Sequence, residues 1–186
     1  MDKKFELTTD TKIHFGRKLF RIKALISFGN VKTGDLGGYV ESEKNLSQSG
    51  DAWVYGDARV YGDARVYGNA RVYGDARVYG DAWVCGNAWV YGNARVCGNA
   101  CVYGNADYVC TKGLGSHYRN TTFFKCKNGD IYVTCGCFEG NLDEFTKKVK
   151  ITHGDSKYAK EYLAMVEVVK IHFEKENGNE SGEESD

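Results

Sequence analysis

Ser116, His117 and Arg119 stand together in one short glycine-flanked stretch, "GSHYRN". A hydroxyl, an imidazole and a guanidinium at that spacing can bind a phosphate or carboxylate through charge-assisted hydrogen bonds. Asp143 and Glu144 follow at the start of an expected helix, and helix N-termini are natural anion sites. The expected binding residues of this region are therefore Ser116, His117, Arg119, Asp143 and Glu144. Cys135 and Cys137, with His117 or His153, carry ligand atoms for zinc, but Cys-x-Cys is not the usual two-residue spacer of a structural site. No metal and no cofactor are expected. Neither thiol has a neighbouring group that would activate it as a nucleophile, so no catalytic residue is assigned.

These side chains need elements to hold them. "TTFFKCKNGDIYVTCGCF" reads as a β-hairpin around Asn128-Gly129. A two-residue loop there sets Cys126 opposite Ile131, Phe124 opposite Val133 and Thr122 opposite Cys135, all on one face, with the thiols of Cys126 and Cys135 buried. Asn141 and Glu144 form a capping pair for a short helix with Leu142, Phe145 and Val149 inward. Asp155 or Ser156 caps a longer helix whose inner residues are Tyr158, Tyr162, Val166, Val169 and Phe173. Hairpin and helices together make a small α+β module.

Upstream lies a repeat. From Asp51 to Ala106 every sixth residue is valine, followed by Tyr or Cys, Gly, Asp or Asn, Ala and one variable position. Glycine, Asn and Asp tolerate positive φ, and Val beside Tyr favours a pleated strand, so each unit is a short strand and a corner. Three units close a triangular coil of 18 residues, and each strand pairs in parallel with the one 18 positions on, about 4.8 Å away. Val54 with Ala58, and so on to Val102 with Ala106, point inward. Outward, the variable position stacks Trp53, Arg71 and Trp89 on one face, Arg59, Arg77 and Arg95 on the second, and Arg65, Trp83 and Cys101 on the third. Tyr55, Tyr73 and Tyr91 stack beside the first column, and a guanidinium between two indoles is a favourable contact. Trp53, Arg71, Trp89 and Arg95 are the expected binding residues of the solenoid, with Arg95 the end of the arginine column expected to accept an anionic group.

The expected organisation is 1–50, N-terminal strands and cap; 51–106, hexapeptide-repeat β-helix; 107–173, α+β recognition module; and 174–186, a disordered acidic tail. Composition narrows the partners. The chain has 186 residues, and its 25 basic and 25 acidic residues cancel, which argues against nucleic acid or an anionic membrane. No uncharged run approaches the length of a membrane span. Seven cysteines without a secretion signal favour reduced thiols and a cytoplasmic location.

The repeat resembles that of left-handed parallel β-helices, the hexapeptide-repeat superfamily, and the left hand is implied by that resemblance alone. "FGNVKTGDLGGYVESEKNLSQSGDAWVYGDA" resembles the opening of bacterial hexapeptide acyltransferases and, equally, repeat proteins of phages and prophages. "GSHYRNTTFFKCKNGDIYVTCGCFEGNLDEF" and "HGDSKYAKEY" resemble the C-terminal part of the phage group. The acyltransferase resemblance implies a catalytic histidine in or beside the coils, yet His14, His117, His153 and His172 all lie outside 51–106. The expectation is a non-enzymatic binding protein, in the host cell cytoplasm if phage-encoded, that binds or blocks a host protein or sequesters a small anionic ligand. An acyltransferase and a self-assembling structural homo-oligomer are the alternatives.

Overall fold

The computed structural model describes residues 3–174. The acidic tail expected from 174 onward lies, after Glu174, outside the described residues. Two antiparallel strands, β1 (Phe5–His14) and β2 (Arg17–Ala24), lead to β3 (Leu36–Val40). Nine two-residue strands follow: β4 (Trp53–Val54), β5 (Arg59–Val60), β6 (Arg65–Val66), β7 (Arg71–Val72), β8 (Arg77–Val78), β9 (Trp83–Val84), β10 (Trp89–Val90), β11 (Arg95–Val96) and β12 (Cys101–Val102). The chain then forms β13 (Tyr108–Leu114), β14 (Arg119–Lys125), β15 (Ile131–Cys135), β16 (Phe138–Asn141), α1 (Leu142–His153) and α2 (Lys157–Phe173).

The short strands stack in three parallel columns: β4, β7 and β10; β5, β8 and β11; β6, β9 and β12. The molecule is a mainly β protein with a triangular β-solenoid and two C-terminal helices. Nine valines from Val54 to Val102 and the alanines from Ala52 to Ala100 are wholly buried. Each buried valine is worth roughly 1.5–3 kcal/mol relative to exposure. Ala106 is exposed instead, because a turn at Asn105–Asp107 ends the last coil. The parallel pairing also reaches back before the repeat, since Val40 pairs with Val60 and Leu46 with Val66. The glycine pair of β3 permits this: a Cβ on Gly38 would lie 2.7 Å from the carbonyl oxygen of Ala58.

Corner glycines 56 to 98 all have positive φ, between 58° and 76°, and stack on one another. A Cβ on Gly80 would meet the Gly98 nitrogen at 2.9 Å, whereas one on Gly98 meets nothing within 4 Å. Gly98→Ala should therefore cost only the left-handed backbone penalty, about 1–2 kcal/mol. Gly80→Ala should cost clearly more, because it adds a collision with main chain. Urea unfolding of the two variants checks this, and equal midpoints would refute the stacked-corner geometry.

The ends of the stack have their own chemistry. Within the column each N–H donates to a carbonyl one coil further on, as Arg59 N does to Ala76 O. The first coil thus has carbonyls with no donor above them, and the last coil has N–H groups with no acceptor below, and a buried orphan is costly. Buried Lys4 donates through Nζ to Gly50 O and Ala52 O, and Asn45 Nδ2 donates to Gly62 O and Ala64 O. Burial pushes the Lys4 ammonium down to about 8, partly opposed by Asp51. At the other end Trp89 N donates to Asn105 Oδ1, Arg95 N to Thr122 Oγ1, and Tyr103 N to Asp107 Oδ2.

The C-terminal module is larger than a hairpin. β13, β14, β15 and β16 form one antiparallel sheet. Its central register corrects the expected one: Phe124 faces Tyr132, Phe123 faces Val133, and Thr121 faces Cys135. Cys126 N donates to Asp130 O, and of the turn residues only Gly129 has positive φ, at 87°. A type I′ loop on Asn128-Gly129 needs positive φ at both residues and Asn128 does not adopt it; the chain takes a three-residue loop with Gly129 alone in the left-handed region. The one-residue shift separates the side chains onto two faces. Phe124 and Cys126 close the solenoid core, while Phe123 and Val133 pack with Phe145, Val149, Tyr162 and Val166 of the helices. Cys126 and Cys135 therefore lie on opposite faces, with Cys126 buried and Cys135 half-buried. Both expected caps form: Asn141 and Glu144 exchange hydrogen bonds at 2.9 Å, and Ser156 accepts from Ala159 N.

Candidate anion-binding site

The second face of the solenoid carries Arg59, Arg77 and Arg95 in direct register. Like charges one strand apart repel, so the column is held by the strands rather than by its own attraction. The C-terminal sheet docks over its lower end. Thr122 of β14 accepts from Arg95 N at 3.2 Å, and Thr134 of β15 donates to Arg95 O at 3.1 Å. This clamp brings the β13–β14 loop and the β15–β16 turn against the arginines.

Gly136, in the β15–β16 turn, is the meeting point. The Arg95 guanidinium donates to its carbonyl, and Arg119 lies against its α-carbon, where any side chain would collide with the guanidinium. The β13–β14 loop is anchored from the other side. Gly115 N donates to Glu161 Oε2 of α2 at 2.8 Å, and Gly115 packs so closely on Tyr162 that no Cβ fits. Tyr118 closes the loop with φ of 50°, unusual for a non-glycine residue, and projects its ring into solvent.

The result is an open cleft of about 330 Å³ walled by Arg77, Arg95, Arg119, His117, Asn93 and Asn120. Among the described residues no carboxylate lies within 4 Å of Arg77, Arg95 or Arg119. Elsewhere Lys12, Arg17, Arg21 and Lys44 each hold an acid. The nearby acid Glu139 accepts a hydrogen bond from Tyr79, whose phenol is pushed up by burial and by that carboxylate. A guanidinium offers five N–H donors, so the use of one by Gly136 O leaves Arg95 able to hold an oxyanion.

Three of the expected binding residues, Arg95, His117 and Arg119, therefore converge. Ser116 is adjacent but faces a second pocket, and its Oγ is 2.9 Å from His117 Nδ1. The loop shares that second pocket with Phe145, Lys148, Val149, Thr152 and His153 of α1. Glu144 is committed to the cap and Asp143 is exposed, and neither lines the cleft. Arg71 and Trp89 belong to a different face, with the guanidinium 5.3 Å from the indole centroid. Trp53, expected outside, is buried under Phe5 and Phe28 of the N-terminal cap, so Arg71 has no second exposed indole above it. Arg77 was legible as the residue 18 before Arg95 in the same column. Asn120 and Gly136 had no comparable signal.

The repeat itself has a known counterpart. Residues 52–68, 64–80 and 70–86 match the YdcK beta solenoid repeat. The likeness covers coils and no part of the C-terminal module. No curated protein matches the chain. All seven cysteines are free, and burial raises the Cys97 thiol to about 12 and the Cys126 thiol to about 11, which keeps both protonated and unreactive near neutral pH. Among the described residues no group of three or more His, Cys, Asp and Glu is placed to hold a metal, and no helix is long and apolar enough to cross a membrane.

Proposed function

We propose that the chain is a non-enzymatic binding protein whose solenoid is a scaffold and whose cleft of Arg77, Arg95, Arg119 and His117 takes up a small oxyanion. The observation that carries this reading is the convergence of three guanidinium groups on one concavity with no carboxylate within 4 Å among the described residues. The strands hold the backbones of Arg77 and Arg95 in register, and the Gly136 carbonyl orients the Arg95 guanidinium, which reduces what an anion has to order. The resemblance to phage and prophage repeat proteins supports a setting in a host cell's cytoplasm. There, sequestration of an anionic ligand, or capture of an anionic group on a host protein, blocks its normal use. The structural alternative has less support, because the N-terminal hairpin and the C-terminal sheet cover the two ends of the coil stack.

Titration calorimetry with inorganic phosphate tests the reading. The wild-type chain should bind, more weakly as salt is added. Arg119→Ala should weaken binding about tenfold or more, as loss of a charge-assisted contact of about 1.5–3 kcal/mol requires, with an unchanged melting temperature. Absence of wild-type binding, or unchanged affinity in both Arg119→Ala and Arg77→Ala, would overturn it.

A further inference from the structure

Behind Arg119 lies a second, smaller pocket of about 190 Å³. Its floor is apolar: Cys135, Phe138, Phe145, Val149 and Tyr162. Its rim is basic, with Lys148 and His153 of α1 opposite His117 and Arg119. His117 and Arg119 line both this pocket and the arginine cleft, so the two concavities share a wall. We infer that the ligand is an aryl oxyanion, whose charged group lies among Arg77, Arg95 and Arg119 and whose ring enters the pocket behind them. The inference rests on the oxyanion reading of the cleft and adds the chemical class of the group attached to it.

Size and wall chemistry both point to a ring. An apolar cavity of about 150 Å³ is enough to take up benzene, and this pocket is slightly larger. The walls present aromatic edges and faces: Phe138 and Phe145 are tilted at 5.3 Å between centroids, and Phe145 meets Tyr162 edge-on at 5.6 Å. Such surroundings favour an additional ring in edge-to-face contact. The polar atoms of the floor have partners within the protein, since Thr121 Oγ1 donates to Cys135 Sγ at 3.2 Å and Cys135 Sγ lies 3.8 Å from Tyr162 OH. The floor therefore requires no hydrogen bond from what enters. Lys148 and Arg119 at the rim select a ligand that is negatively charged where it leaves the pocket.

Calorimetry with phenyl phosphate and inorganic phosphate tests this. Phenyl phosphate should bind at least about tenfold more tightly, roughly 1.4 kcal/mol. Thr152→Trp, an exposed rim position whose new ring would fill the pocket, should bring the ratio of the two affinities close to one. In wild type, nuclear Overhauser contacts should join the phenyl protons to the Val149 methyls, a result that does not depend on the variant folding. Equal affinities for the two compounds, or phenyl contacts only to residues outside this pocket, would overturn the aryl inference while leaving the oxyanion site in place. Failure of both compounds to bind would overturn the site and the inference together.

Discussion

Replacing Ala76 by Glu should leave the solenoid unable to fold at ordinary temperature. Ala76 is wholly buried, in register with Ala58 and Ala94 of the coils on either side. Both neighbours are themselves buried, and the core there is only valine and alanine wide. A carboxylate in that position has neither water nor a cation, and desolvation without a partner costs several kcal/mol even after protonation, comparable to the roughly 5–15 kcal/mol that holds a domain together. Asp75, one residue away, is exposed, and Asp75→Asn should change little. Circular dichroism melts of the pair check the inward assignment, and equal losses of thermal stability would contradict it.

The second large effect concerns the sheet that joins solenoid to helices. Phe124 and Phe123 are adjacent and both wholly buried, yet they belong to different cores. Either substitution by alanine should cost about 3–5 kcal/mol. Hydrogen–deuterium exchange should show different consequences. Phe124→Ala should accelerate exchange in the last coil, around residues 95–102, because it opens the covered end of the stack. Phe123→Ala should accelerate exchange in α1 and α2, whose Phe145 packs edge-on against it at 5.9 Å. The same pattern from both variants would mean that the sheet does not divide two cores.

Much of this fold was legible because the repeat obeys one rule of physics nine times. Valine and alanine inward, glycine at a left-handed corner and a pairing offset of 18 residues leave little freedom. The helix caps were legible for the same reason, since Asn141 and Glu144 have reciprocal partners only at that spacing. The hairpin was not. Asn128-Gly129 suits two loop lengths, and what separates them is the φ of Asn128, which sequence does not reveal. That one residue decided which side chains of the sheet face the solenoid and which face the helices. Trp53 and Trp89 occupy equivalent places in the repeat, yet one is buried and the other exposed. The difference lies in Phe5 and Phe28, too distant in sequence for a periodic pattern to register. The binding residues showed the same division. Arg95, His117 and Arg119 were recognisable by type, but their convergence depends on Thr122 and Thr134 clamping Arg95 from another module.

The most direct test of the anion site is crystallographic: the position of tungstate, located by its anomalous scattering in crystals of the wild-type chain soaked in a low concentration of the ion. A peak is expected within hydrogen-bonding distance of the Arg77, Arg95 and Arg119 guanidinium groups. A peak confined to other cations, such as Lys44 and Arg65 on the third face, with none between the three arginines, would contradict it.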